Sequence, residues 1–217
     1  MHATQRIFGL ARPRPSVTWA DMLAVMQLEA AHVWSLYERG IARDAWIRTD
    51  APGAVYVLES TPAEAERVLG AQPMVRCGLV GFELVPVGPF MPLSLLFGTE
   101  EHPVPTAATT AARRGRSCRV LAIERPRAGI EYEELDPLLA EEARYVWSLW
   151  KAGVIRENYA RTDRPGAALI LEVAGIDEAD AILAELPLVR QRLIEFECLA
   201  VGAFSGFDAL LDGALDD

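Results

Sequence analysis

The chain repeats itself, and this repeat limits its fold more than any other feature. The segment Trp34–Tyr37 returns as Trp147–Trp150, a shift of 113 residues (147 − 34). The same shift joins the turn segments Pro52–Ala54 and Pro165–Ala167, and it becomes 114 after one residue is inserted beyond Glu172. Two copies are too few for a solenoid, which needs three or more stacked units. The sequence therefore predicts a tandem duplication of one small domain, arranged as an intramolecular pseudo-dimer.

Each half is predicted to have the element order strand, helix, strand, strand, helix, strand. In the second half, a short apolar run ends at Arg125-Pro126, and apolar residues then recur at helical spacing until Gly153. The sequence Asp163–Gly166 is typical of a turn that joins two strands as a hairpin. The elements are expected at residues 7–11, 20–39, 42–48, 54–59, 62–69 and 79–87, and again at 119–124, 135–153, 155–162, 167–172, 177–185 and 193–201.

This element order is the ferredoxin-like pattern, in which one antiparallel sheet carries both helices on one face. The other face of each sheet is then apolar and must be buried by another surface. We therefore expect an α+β fold in which two ferredoxin-like βαββαβ repeats pack sheet to sheet as an intramolecular pseudo-dimeric α+β barrel. The repeats are expected at residues 1–97 and 118–217. The segment 98–117, rich in Ala, Thr and Pro, is expected to be a linker.

Composition argues against several classes of partner. The net charge is −10 and the pI is near 4.9, whereas nucleic acids and anionic membranes are bound by basic patches. No apolar run approaches the roughly 18 residues of a membrane-spanning helix. The three cysteines form no paired motif, which favours a reducing cytoplasm. No histidine or cysteine spacing fits a metal site, and the sequence predicts no cofactor and a small-molecule substrate.

Two glutamates at equivalent positions of the repeat are the strongest candidates for chemistry. Glu29 and Glu142 each lie within the apolar stripe of the first helix of a half, rather than on its polar side. A carboxyl that faces a sheet from an apolar helix face loses hydration. Its pKa should therefore rise toward neutrality, where a general acid or base is useful. Two other interpretations remain open: an ion pair with the strand arginine, Arg43 or Arg156, and a glutamate displaced into solvent.

Other polar and aromatic residues near the glutamates are candidate substrate-binding groups. Tyr145 and His32 share one repeat position, a turn after the glutamate and on the same side of the helix. The alternative for both is a core-edge residue whose polar tip reaches the surface. A strand arginine can hold a carboxylate bidentately, but Arg48 and Arg161 can equally bind the turn aspartates that follow them. The full set of predicted substrate-binding residues is Tyr145, His32, Arg156, Arg43, Asn158, Tyr159 and Trp46.

Several of these positions also carry a family resemblance. A helix glutamate, a Gly followed by an Arg on the next strand, a Leu-Pro-Leu sequence and a closing Phe-Glu pair occur in this order, at Glu142, Gly153, Arg156, Leu186–Leu188 and Phe196-Glu197. In these motifs the chain resembles the muconolactone isomerase-like branch of the dimeric α+β barrel superfamily. The resemblance covers nearly all of both halves. It implies a barrel built from two fused copies, in a superfamily that includes isomerases, cofactor-free monooxygenases, cyclases, haem proteins and non-catalytic ligand binders.

Together with the resemblance, these residues predict a cofactor-independent isomerase, cyclase or lyase that moves a proton next to a carbonyl of a small oxygenated substrate. The catalytic residues are expected to be Glu142 and Glu29, and the second half is expected to dominate because it has more polar candidates. Two alternatives remain open: a non-catalytic ligand-binding or accessory protein, and a cofactor-free monooxygenase acting on a phenolic substrate. Further homo-oligomerisation also stays open.

Overall fold

A computed structural model of the chain describes residues 4–97, 118–130 and 136–211. These residues form an α+β fold with eight β-strands, which confirms the predicted fold class at that level. The strands are β1 (Gln5–Pro13), β2 (Ala42–Arg48), β3 (Ala54–Ser60), β4 (Val80–Pro89), β5 (Cys118–Pro126), β6 (Ile155–Arg161), β7 (Ala167–Val173) and β8 (Ile194–Ala203). The helices are α1 (Trp19–Leu23), α2 (Met26–Glu38), α3 (Pro62–Gly70), α4 (Pro73–Arg76), α5 (Asp136–Lys151), α6 (Ile176–Leu183), α7 (Pro187–Arg190) and α8 (Asp208–Leu211).

The chain divides into two compact units. Unit 1 contains the described residues 4–87 and 201–211, and unit 2 contains the described residues of 88–200. In unit 1, β1 pairs with β3 on one side and β4 on the other, and β3 also pairs with β2. The last three residues of β8 add to the free side of β2. All of these pairings are antiparallel, as a ferredoxin-like sheet requires.

Unit 2 has the corresponding arrangement. Strand β7 lies between β5 and β6 and pairs antiparallel with both, and β8 is the neighbour of β5 on its other side. Helices α5 and α6 cover one face, and their apolar residues form a core with those of the strands. Buried members of this core include Val120, Leu149, Leu169, Leu171 and Leu183.

Local sequence signals explain where the helices begin and end. Thr18 starts α1 with a capping box, because its hydroxyl accepts from the Asp21 N–H while its own N–H donates to the Asp21 carboxylate. The helix expected at 20–39 is in fact two helices, α1 and α2, separated at Ala24 and Val25. Gly40 and Gly153 follow α2 and α5 with φ of 68° and 66°, the left-handed region that favours glycine at a helix end.

A short 3-10 segment completes each unit. The segment Met91–Leu96 packs on α5 in unit 2. The segment Ser205–Phe207 packs on α2 in unit 1, where the Phe207 ring lies 5.6 Å from that of Trp34, between ring centroids. Such aromatic edge contacts bury a large apolar area. The linker predicted at 98–117 lies outside the described residues, and the predicted domain bounds stay a prediction.

Membrane-spanning helices and cysteines bear on where the protein is located. Within the described ranges, no helix is both long enough and apolar enough to cross a membrane. The three cysteines, Cys77, Cys118 and Cys198, are free thiols.

Candidate functional site

Each predicted catalytic glutamate is buried and bound to the start of a short helix. In unit 2, Glu142 of α5 is 9% exposed, and its Oε2 accepts from the Leu188 backbone N–H at 2.9 Å. Leu188 lies in the first turn of α7, where N–H groups have no partner within the helix. The preceding Pro187 sets this helix start, since proline suits the first helical position. In unit 1, Glu29 accepts from the Met74 N–H at 3.0 Å in the same way.

Burial dominates the ionisation of both carboxyls. Loss of hydration raises the pKa of Glu142 to about 7, an effect that the Leu188 N–H opposes and that the carboxylates of Glu124 and Glu141 strengthen. Burial also raises the pKa of Glu29, against the lowering effects of the Met74 N–H and the Tyr56 hydroxyl. The expected rise toward neutrality is therefore present in unit 2, where a proton can be exchanged near physiological pH.

In unit 2, Glu142 lines a cavity of about 230 Å³. Most of the wall is apolar, and the charged side chains in it are Glu124, Glu142 and Arg161. The lining residues are Phe90, Pro92, Glu124, Leu139, Glu142, Ala143, Val146, Ala160, Arg161, Pro165, Gly166, Ala167, Leu169, Leu188 and Phe196. An apolar pocket with a few polar groups is the usual form of a small-molecule site.

Arg161 is bound to Asp163 on one side, and its other nitrogen, Nη1, is buried and unpaired. Its Nε and Nη2 donate to the two carboxylate oxygens of Asp163, at 3.0 and 2.7 Å. Its side chain is 2% exposed, and its Nη1 is buried with no hydrogen-bond partner among the described residues. An unsatisfied buried donor is unfavourable, and more so when the group is charged. The Nη1 group therefore indicates a missing acceptor in or beside the cavity.

Unit 1 contains the same glutamate in a nearly filled interior. The Tyr56 hydroxyl donates to Glu29 Oε1 at 3.3 Å, and both residues line a cavity of only about 40 Å³. A water molecule occupies about 30 Å³ of the liquid, so this space holds roughly one. At the position 113 residues on from Tyr56, unit 2 has the smaller Leu169. The tyrosine both fills the space and occupies the second oxygen of the glutamate.

The structure brings few of the other predicted site residues to the cavities. Tyr145 packs half-buried against the unit 2 core, and the His32 ring lies with Nε2 at 3.1 Å from the Val68 carbonyl oxygen. Asn158 is half-buried, and its Nδ2 has no partner in the part of the chain that the structure describes. Of the predicted site residues, Glu142 and Glu29 line the two cavities described above.

The remaining predicted residues make local contacts. Arg156 is exposed and lies 3.6 Å from Glu172, so it does not pair with Glu142. Arg43 is exposed. The Tyr159 hydroxyl donates to Glu157, and the buried Trp46 ring lies against Phe8 at 6.1 Å between centroids. The ion-pair interpretation of the glutamates therefore does not hold for Glu142, and the substrate-binding roles of these residues stay predictions.

Sequence reasoning missed Glu124 and left Arg161 open between binding a carboxylate and binding the turn aspartate. Arg161 does bind the turn aspartate, and its unpaired Nη1 depends on burial that the sequence does not show. Glu124 carried one signal, since the equivalent position of the first repeat is Ala11. Within the described residues, no three His, Cys, Asp or Glu side chains lie together as a metal site.

No family model and no curated protein matches this sequence. Solved structures do. The chain is similar to a mutant chlorite dismutase from Candidatus Nitrospira defluvii in which an arginine is replaced by alanine, at a TM-score of 0.58 and 14% identity, covering 97% of this chain and 95% of that one. A second mutant of that enzyme, in which a tryptophan is replaced by valine, matches at a TM-score of 0.57 and 12% identity, with the same coverage. A putative chlorite dismutase, TA0507, matches at 0.53 and 12%, covering 95% of this chain and 98% of that chain. Identities this low establish the fold alone.

These comparisons correct the sequence-based family. The similar structures are chlorite dismutases, so the resemblance to muconolactone isomerases is wrong, and the predicted isomerase, cyclase or lyase is contradicted with it. The non-catalytic binder and the phenol monooxygenase do not match them either. The motifs misled because they build the scaffold: Glu142 binds the start of α7, Leu186–Leu188 form that start, and Glu197 pairs with Arg125 at 2.6 Å. Such contacts specify a fold and do not report a reaction.

Proposed function

We propose that unit 2 binds a small oxyanion and exchanges a proton with it, as part of a protein of the chlorite dismutase-like fold. The observation that carries this proposal is the buried Nη1 of Arg161, which lacks an acceptor among the described residues while its side chain lines the cavity. Chlorite, in the name of the similar structures, is itself a small oxyanion. A guanidinium matches oxyanions well because its donors lie in one plane.

The Asp163 pair fixes the direction of the guanidinium. Because Nε and Nη2 are both held, rotation of the group would break two charge-assisted hydrogen bonds, so the Nη1 donors are oriented before any ligand arrives. A preoriented donor loses little entropy on binding. The Asp163 carboxylate also neutralises part of the arginine charge. The charge that remains is suited to one anionic group rather than to several.

Glu142 supplies the second polar contact. Below pH 7 it is mostly neutral and can donate its proton to an oxyanion oxygen, whereas above pH 7 it is mostly ionised and repels the anion. The Leu188 N–H donates to Oε2 of Glu142. In unit 1 the Tyr56 hydroxyl donates to the other oxygen of Glu29, but the equivalent residue in unit 2 is Leu169, which has no hydroxyl. Glu142 is therefore able to hand a proton to a bound anion or to take one back.

Haem is the cofactor that a chlorite dismutase-like fold implies, and this overturns the predicted cofactor-independent class. Haem iron is held by a His, Cys, Met or Tyr side chain. None of the described residues that line the unit 2 cavity is of these types. The unit 1 cavity has Met22, Met26, Met74 and Tyr56 on its wall, but a volume of about 40 Å³ has no room for a macrocycle. The described residues therefore do not fit haem in either cavity.

We also infer that the two units are duplicated copies that form the expected pseudo-dimer. Corresponding contacts support this, for example the ion pairs Arg12–Glu83 at 2.7 Å and Arg125–Glu197 at 2.6 Å. A small-molecule ligand and a cytoplasmic location are part of the same proposal. The location rests on the three free cysteines.

Replacement of Arg161 tests the proposed function. The probes are formate and nitrite, added to the full chain at pH 6 and followed by NMR at the Leu188 amide, which binds Glu142 directly. We expect saturable binding, and we expect Arg161→Met to weaken it at least tenfold. The matched control is Arg48→Met, because Arg48 makes the same turn pair with Asp50 in unit 1. Equal binding by Arg161→Met and the unchanged chain would falsify the proposal.

A further inference from the structure

The unit 2 cavity is larger than a bare inorganic oxyanion needs. Its volume is about 230 Å³. With roughly 30 Å³ for each water in the liquid, this corresponds to about seven waters. A three-atom oxyanion bound at Arg161 takes the place of about two of them. The rest of the space must then hold water or another part of the ligand.

The remaining wall is unsuited to water. It is formed chiefly by Phe90, Phe196, Leu139, Val146 and Leu188, none of which has a side-chain hydrogen-bond donor or acceptor. Water in a cavity is stable only where it finds several polar partners, and apolar cavities instead take up apolar molecules. This apolar part of the wall therefore favours contact with a hydrocarbon body.

The charged groups limit the ligand to one anionic group. Arg161 offers Nη1 donors, and neutral Glu142 offers one more, which matches the two oxygens of a single carboxylate. Glu124 is 7% exposed and lines the same cavity, so a second negative charge on the ligand would meet another acidic residue. Like charges in a poorly solvated site repel strongly.

We propose that the ligand of unit 2 is a monocarboxylic acid with a compact apolar body, aromatic or branched aliphatic, whose carboxylate binds Arg161 and Glu142 while its body lies against the apolar wall of the cavity. This inference rests on the proposed oxyanion site and narrows its ligand class. Benzoate has the required single charge and apolar ring.

A panel of acids on the full chain tests this inference. Calorimetry or NMR titration at pH 6 compares benzoate and cyclohexanecarboxylate with formate, nitrite and the dianion phthalate. We expect benzoate to bind at least tenfold more tightly than formate, and phthalate to bind at least tenfold more weakly than benzoate. Formate and nitrite binding as tightly as benzoate would overturn the inference and leave the oxyanion proposal standing. Absence of binding by every anion would overturn both.

Filling the cavity gives a second readout. Leu169→Tyr and Ala160→Ile introduce the side chains that unit 1 has at Tyr56 and Ile47. Both should reduce the affinity ratio of benzoate to formate from at least ten to about one, since each added side chain takes up cavity volume that the body of benzoate needs and that formate does not need. Thermal unfolding checks that each variant folds. A ratio that stays at ten or more in both folded variants would contradict the inference.

Discussion

Units 1 and 2 place the same carboxyl in the same contact but surround it differently. Glu29 binds the Met74 N–H at 3.0 Å and Glu142 binds the Leu188 N–H at 2.9 Å, each at the start of a short helix that begins with proline. The space beside the carboxyl is about 40 Å³ in unit 1 and about 230 Å³ in unit 2. The shared contact is therefore structural, and the two units differ in the space beside it.

A few substitutions account for the larger cavity. Tyr56 and Ile47 line the unit 1 cavity, and the equivalent residues in unit 2 are Leu169 and Ala160. Large-to-small changes leave a cavity where the surroundings do not collapse. Here the backbone framework, held by strand pairing on both sides of β7, keeps the space open.

Charge differs between the units as well. Unit 2 has Glu124 where unit 1 has Ala11, and it buries the arginine of the turn more deeply. Arg48 retains 18% side-chain exposure, whereas Arg161 retains 2% and has a buried donor without a partner in the described chain. A guanidinium donor that solvent can reach is hydrogen-bonded by water. A buried donor has no water, so it is stable only when another group accepts its hydrogen bond.

The largest expected effect comes from opening unit 1. Tyr56→Leu removes a ring that packs at 5.6 Å from Phe82 and at 6.1 Å from Phe204, together with the hydroxyl that binds Glu29. We expect the free energy of unfolding to fall by about 2–4 kcal/mol, as for other large-to-small changes in a core. The reverse change, Leu169→Tyr, enters space that already exists and should alter stability by less than about 1 kcal/mol. Urea unfolding measures both, and similar losses would break the contrast between a filled and an open unit.

The second effect concerns ionisation of Glu142. Its folded pKa of about 7 exceeds its ordinary value of 4.5, so the stabilising contribution of its proton is complete below pH 4.5 and is lost as the pH rises to 7. Glu142→Gln should therefore increase the free energy of unfolding by about 1–3 kcal/mol at pH 8 and leave it nearly unchanged at pH 4.5.

A neighbouring residue provides the control for this prediction. Glu141 precedes Glu142 on α5 and is exposed, so Glu141→Gln removes a neighbouring charge but keeps the buried carboxyl, and its effect should change much less between pH 4.5 and 8. Chemical unfolding of both variants from pH 4.5 to 8 distinguishes them. An equal response of the two would show that Glu142 is solvated in solution.

The elements of the fold could be predicted from sequence because they depend on local signals. Apolar spacing, Gly153 after α5 and the Asp163–Gly166 turn all lie where expected. The break between α1 and α2 had no proline or glycine to mark it and was missed. Burial of Glu29 and Glu142 followed from their place in an apolar stripe.

The site was harder to predict because it depends on a hydrogen-bond acceptor and a large side chain that unit 2 lacks among the described residues. The Nη1 of Arg161 is unsatisfied because no described acceptor pairs with it, and the cavity has room because Leu169 is smaller than a tyrosine. Neither property belongs to one residue in the sequence. Comparison of the two halves at positions 56 and 169 would have indicated the cavity, and comparison at Ala11 and Glu124 would have indicated its added charge.

The smallest effect concerns a polar residue that unit 1 keeps and unit 2 replaces. Gln72 is fully buried with its amide near the Tyr56 hydroxyl, but neither its Oε1 nor its Nε2 has a partner in good hydrogen-bond geometry among the described residues, whereas the equivalent residue in unit 2 is Leu186. A buried unpaired amide is unfavourable by about 1–3 kcal/mol, although one water in the 40 Å³ cavity can offset part of this. Gln72→Leu should therefore raise the free energy of unfolding by about 1 kcal/mol in a urea titration. A loss of stability instead would mean that the Gln72 amide is hydrogen-bonded in solution. The polar groups in the interior of unit 1 would then be satisfied, and the two units would differ only in cavity volume.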